Sequence, residues 1–149
     1  MKIAIITAKF NSEITSQLEL GCVNRLKERY DSYFSEHMVK IEFDQFYCPG
    51  VIELVYCAKK AIEEEIYDVV VVLGAVIKGD TDHYEYVCNF VTNGISTLTT
   101  ISSIPIVFGI LTVKDEQHAI DRADINKINI GESYADTAIE MAKISHFNF

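Results

Sequence analysis

The 149-residue chain has no tryptophan, only two prolines and no apolar run near the roughly 20 residues that cross a bilayer. The start, MKIAIITAKFNSE, has too short an apolar part for a signal peptide and no small-residue cleavage site. These absences point to a soluble, cytoplasmic protein with no membrane partner. Positive charge is also scarce: Lys and Arg together number 13 against 22 Asp and Glu, a net charge of −9. A nucleic-acid binder shows a basic stripe, and none is present. The four cysteines, Cys22, Cys48, Cys57 and Cys88, show no CxxC spacing, and each lies in or beside an apolar segment. They read as buried free thiols of a reduced compartment. His37, His83, His118 and His146 do not cluster with them in sequence, so no zinc site is expected.

What is present is alternation. Residues 2–7 (KIAIIT), 39–48 (VKIEFDQFYC), 69–73 (VVVVL) and 104–111 (IPIVFGIL) read as strands, the third as one buried on both faces. Between them, apolar residues recur at helical spacing. Ile14, Leu18, Cys22, Leu26 and Tyr30 form one such face. Ile52, Val55, Ala58, Ile62 and Ile66 form a second, and Tyr84, Val87, Cys88, Val91, Ile95 and Leu98 a third. A short helix is expected around residues 115–123, and a last helix from Ser133, with Asp136 as its box partner. No linker or repeat divides the chain. Strand–helix repetition implies right-handed crossovers and one domain over residues 1–149. Its expected form is a three-layer α/β/α sandwich, flavodoxin-like, around a four-stranded parallel sheet.

In such a sheet, ligands bind beyond the carboxyl ends of the strands. The four segments leaving the strands are TAKFNSE, CPGVIE, LGAVIKGDTDHYE and FGILTVKDE. The third is the richest. Gly79 allows a tight turn, and Asp82 with Glu85 has capping-box spacing, so a helix should begin near His83. The free N–H groups of that turn make an anion site over Gly79–Thr81, with the Asp80 carboxylate turned away. His83 is placed for general acid/base work beside that anion, or is a surface histidine without a role. Phe10 is placed to stack on a planar ring, or to staple onto Ile14 or Leu18. Glu53 either complements the second helix dipole or accepts hydrogen bonds from a polyol. Phe108 reads as core, and Arg122 as a partner for phosphate or for Asp121 or Asp124. A Schiff base on Lys78 has no neighbour in sequence to activate it. The first strand ends in Thr7-Ala8-Lys9 without acids, which argues against a phospho-acceptor receiver domain.

Five blocks, AKFN (8–11), CPGVIEL (48–54), LGAVIKGDTDHYEYVCN (73–89), PIVFGILT (105–112) and QHAIDRA (117–123), resemble in order and spacing those of the 6,7-dimethyl-8-ribityllumazine synthases. The resemblance implies a transferase of riboflavin biosynthesis. It would condense 5-amino-6-(D-ribitylamino)uracil with 3,4-dihydroxy-2-butanone 4-phosphate without metal or organic cofactor. It assigns pyrimidine stacking to Phe10, the ribityl chain to Val51, Ile52 and Glu53, and the pyrimidine edge to Ala75, Val76 and Ile77. Asp80 and Thr81 fall on the phosphate loop, and His83 on the proton-transfer histidine. Phe108 and Arg122 fall on residues lent by a neighbouring subunit, the arginine to bind phosphate. The expected assembly is a homopentamer or a dimer of pentamers, with Val91, Ile95 and Leu98 as exposed faces for five-fold packing. The larger hollow shell is disfavoured, because the extra strand usual before the position of Lys2 is not in this sequence.

Three departures from the family pattern stand out. Ile52 replaces a larger, commonly aromatic group. The stretch after Arg122, ADINKINIG (123–131), is poor in the glycines and lysines usual there. The missing strand is the third. The second departure leaves a non-catalytic lumazine- or flavin-binding paralogue as the competing reading.

Overall fold

The structure, a computed structural model, describes the backbone of residues 1–37 and 40–145, with side chains for 1–30 and 40–145. Four strands form one parallel sheet in the order β2-β1-β3-β4: β1 Lys2–Ala8, β2 Glu42–Cys48, β3 Val69–Ile77 and β4 Ile106–Val113. Helices α1 (Ser12–His37), α4 (Glu116–Ala123) and α5 (Ile130–Ser145) cover one face; α2 (Val51–Glu63) and α3 (His83–Ile101) cover the other. This is the expected three-layer, flavodoxin-like sandwich.

The two-residue period of a strand distributes the core. Ala4, Ile6, Ala8, Val70 and Val72 pack under α2 and α3. Ile3, Ile5, Val69, Val71 and Leu73 pack under α1 and α5. The β-branched run of β3 is therefore inaccessible on both faces, as a central parallel strand must be. Truncating Leu73 to alanine there would cost about 2–5 kcal/mol. On the second face α1 and α5 approach so closely that a Cβ on Gly131 would strike the Leu18 carbonyl.

Several boundaries differ from expectation. β2 begins at Glu42, and Val39 lies outside the described residues. β2 is an edge strand with most of its length accessible, so alternation alone did not fix where pairing starts. α2 ends at Glu63, and Glu65 turns the chain with φ 55°, which leaves Ile66 exposed beyond the helix. α5 starts at Ile130 and not at Ser133. Asn129 and Glu132 form the stronger starting pair: the Asn129 carbonyl accepts from the Glu132 N–H at 3.1 Å, and the Asn129 amide donates to the Glu132 carboxylate at 2.7 Å. Asp136 instead receives Arg25 Nη2 at 2.9 Å and Arg29 Nε at 3.1 Å, tying α5 to α1. Val91 and Ile95 are buried against α2 and the sheet, and Leu98 packs beside them. The accessible apolar residues of α3 are Tyr86, Phe90 and Ile101.

Candidate active site

The sheet order reverses direction between β1 and β3: the chain leaves β1 toward β2 and later returns to the other side of β1. Such a switch point opens a crevice at the carboxyl ends. β3 deepens it by outrunning β1. The last β1–β3 pair is Thr7 opposite Leu73, and Gly74–Ile77 continue on β4 alone. Alternation along a strand turns the polar groups of Ala75 and Ile77 toward the side β1 has vacated. The Ala75 carbonyl is capped there by Asn11 Nδ2 at 2.9 Å. Ile77 keeps its backbone edge toward the crevice.

The crevice is a cavity of about 390 Å³. Phe10 and Asn11 enter it from the loop after β1, Val51, Ile52 and Glu53 from the start of α2, and Ala75, Val76 and Ile77 from β3. Thr81 and His83 enter from the loop and first residue before and within α3. Residues remote in sequence thus share one wall. Asp80 is exposed in the same loop but does not line the cavity. Phe108 and Arg122 lie elsewhere: Phe108 on β4, accessible, and Arg122 on α4, lining a separate hollow. One protomer therefore does not bring these two to the others.

Local structure explains the placements. Asn11 adopts φ 58°, a left-handed conformation that asparagine tolerates, and its carbonyl starts α1 by accepting from the Ile14 and Thr15 N–H groups. That turn throws Phe10 outward, 70% exposed, so it does not staple onto α1. An aromatic ring left in water beside an apolar cavity is what stacking on a planar ligand requires. The capping box expected of Asp82 is not formed. Asp82 has a helical backbone and no side-chain cap bond, and Thr81 Oγ1 accepts from the His83 N–H at 3.4 Å instead. Gly79 has no positive φ, and a Cβ placed on it would meet nothing within 4 Å. Its contribution is open space at the cavity wall.

Lys78 forms a 3.4 Å ion pair with Glu85, and its ammonium stands 5.8 Å from the Tyr84 ring centroid. It does not line the cavity, which leaves no place for a Schiff-base role. Burial pushes the Cys48 thiol up to about 12, with the neighbouring Cys57 acting in the same direction, so it is no nucleophile at neutral pH. Tyr84, on the cavity wall, also loses acidity through burial. Among the described residues no group of His, Cys, Asp and Glu is arranged to hold a metal ion, and no helix is long and apolar enough to cross a membrane. Sequence reading passed over Asn11, Tyr84 and Val87. The Asn11 signal was available as an asparagine closing a strand–helix turn.

The family model for 6,7-dimethyl-8-ribityllumazine synthase matches residues 1–146. The chain belongs to that family. Among its relatives, the 6,7-dimethyl-8-ribityllumazine synthase of Prochlorococcus marinus strain MIT 9301 is 41% identical over 144 residues, 97% of this chain and 89% of the relative. Enzymes of the same name from strains CCMP1986 and AS9601 of that species are 41% and 40% identical over the same shares.

Proposed function

We propose that the chain is a lumazine-forming transferase that joins 5-amino-6-(D-ribitylamino)uracil to 3,4-dihydroxy-2-butanone 4-phosphate. The observation that carries this reading is the convergence of Phe10, Glu53, Ala75–Ile77, Thr81 and His83 on a single cavity at the strand ends. Phe10 stacks on the pyrimidine, and the Ala75–Ile77 strand end reads its polar edge through the backbone of Ala75 and Ile77, with Val76 packing beside it. Glu53 accepts hydrogen bonds from the ribityl hydroxyls, with Val51 and Ile52 packing along the chain. Asp80 and Thr81 border the phosphate.

The amine attacks the ketone and water leaves to give an imine. A proton is removed from carbon and phosphate departs by elimination; the resulting enol tautomerises to a carbonyl, which the ribitylamino nitrogen attacks to close the ring with loss of a second water. His83 carries protons in these steps. Both substrates are reactive, so most of the acceleration comes from holding them together.

Phe108 and Arg122 complete the site from an adjacent protomer, which makes the working unit a homopentamer or a pair of pentamers. Exposed Tyr86, Phe90 and Ile101 on α3 supply apolar surface for such packing. The enzyme works in the cytoplasm. Mixing the two substrates with the purified protein tests the reading: the green fluorescence of the lumazine should appear at a rate proportional to protein. A chain that binds the lumazine tightly yet gives no product is the non-catalytic paralogue, and a native mass equal to one protomer would remove the shared site.

A further inference from the structure

A second hollow, of about 500 Å³, opens on the same rim beside the end of β4. It is lined by Thr112, Val113, Lys114, Asp115, His118 and Arg122, together with Ile110 and Leu111 of β4. His118 and Arg122 stand four residues apart on α4, hence on one face of the helix. In a chain of net charge −9, a lysine, an arginine and a histidine share one concavity. Among the described residues none of the three forms a salt bridge.

The nearby acids are engaged elsewhere. Asp121, which the His118 charge reaches, receives Lys127 at 2.6 Å and Gln117 Nε2 at 3.0 Å. Asp115 caps α4, accepting from the Gln117 and His118 N–H groups at 2.7 and 3.4 Å. That cap also bars the helix N-terminus from serving as the anion site.

The shortage of charge after Arg122 gives this arrangement its meaning. A phosphate monoester carries about 1.5 to 2 negative charges at neutral pH, and one guanidinium cannot balance them. The 123–131 segment offers a single lysine, Lys127, and it is held by Asp121. We infer that Lys114 and His118 supply the balance, binding the phosphate of the keto-phosphate together with Arg122. The inference rests on the reading of Arg122 as the phosphate anchor. Lys114 contributes a charge, and His118 an imidazole N–H donor on the same side of α4 as the guanidinium.

Steady-state kinetics on the full chain decide it. The Lys114→Gln/His118→Gln double variant should raise the KM for the keto-phosphate about tenfold. Its kcat and its KM for the pyrimidine should stay within about twofold of wild type, and the inhibition constant of inorganic phosphate should rise in parallel. His118→Lys should recover most of the affinity, whereas Lys59→Gln, which removes an exposed cation on α2, should change nothing. Lys114→Gln alone, a surface change, keeps the test open should the double variant fold poorly. If Arg122→Ala raises the keto-phosphate KM and the double variant does not, the inference fails while the arginine reading stands. If neither variant moves it, the phosphate lies elsewhere and both readings fail. Equal rises in both KM values, or a fall in kcat alone, would mark a structural role and also overturn it.

Discussion

The two ends of the sheet treat their polar groups in opposite ways. At the amino end they satisfy one another. Asp68 accepts from the Lys2 N–H at 2.6 Å, Lys2 Nζ meets Asp44 at 3.1 Å, and Tyr67 donates to Asp44 at 2.9 Å. At the carboxyl end, His83, Glu53, Lys114, His118 and Arg122 enter no salt bridge among the described residues. One end holds the strands in place. At the other, Lys78 still pairs with Glu85 and Lys127 with Asp121, while those five side chains stay available for the ligand of the proposed function, as expected where binding outranks stability.

That contrast is open to attack from both sides. The largest effect should follow His83→Ala, which should lower turnover about 10- to 100-fold while moving the denaturant midpoint very little. A large loss of stability would place His83 with the structural residues instead. Arg122→Ala should raise the KM for the keto-phosphate about tenfold with kcat nearly unchanged, again without a stability cost, as read from initial rates and thermal unfolding. At the other end, Tyr67→Phe should cost about 1 kcal/mol in urea unfolding and leave kcat/KM alone, the cost being limited by the partial exposure of Asp44. The smallest effect concerns acid. Hydrogen bonds from Lys2 and then Tyr67 hold the Asp44 carboxyl below its ordinary range. Its contribution, a few tenths of a kcal/mol, is therefore complete above the usual carboxylate value of about 4 and disappears as pH falls through the lowered one. Asp44→Asn should remove that increment of acid sensitivity from unfolding curves recorded down the pH scale.

The layers of the fold were legible because burial imposes simple periods. VVVVL announced a strand covered on both faces, and the i, i+4 run from Ile14 to Leu26 announced a helix covered on one. The carboxyl-end rule pointed to the edge where the cavity opens from the strand pattern alone. What the pattern missed came from contacts between distant residues. The length of β3 depends on β4, since Gly74–Ile77 pair with Gly109 onward after β1 has ended. The start of α5 turned on the left-handed Asn129 and its bonds to Glu132 rather than on Ser133 and Asp136, the latter being held by Arg25. The helical spacing of Val91, Ile95 and Leu98 identified an apolar stripe, but the expectation that it is an exposed face for five-fold packing was wrong: α2 and the sheet cover it. At the site, the spacing left Phe10 open between stacking and stapling; the left-handed turn at Asn11 and the exposure of the ring remove the staple. For Arg122, the pairing of Lys127 with Asp121 removes one of its expected acidic partners and leaves its role to the kinetic test.

In the proposed assembly, a cavity on one protomer is finished by the rim of the next. Subunit complementation tests it most directly. His83→Ala and Arg122→Ala protomers, each impaired alone, are unfolded together, reassembled in equal amounts and assayed at low keto-phosphate. A shared site predicts that about a quarter of the sites regain both residues, so kcat/KM rises well above either parent. A mixture no faster than the average of the two parents would contradict it.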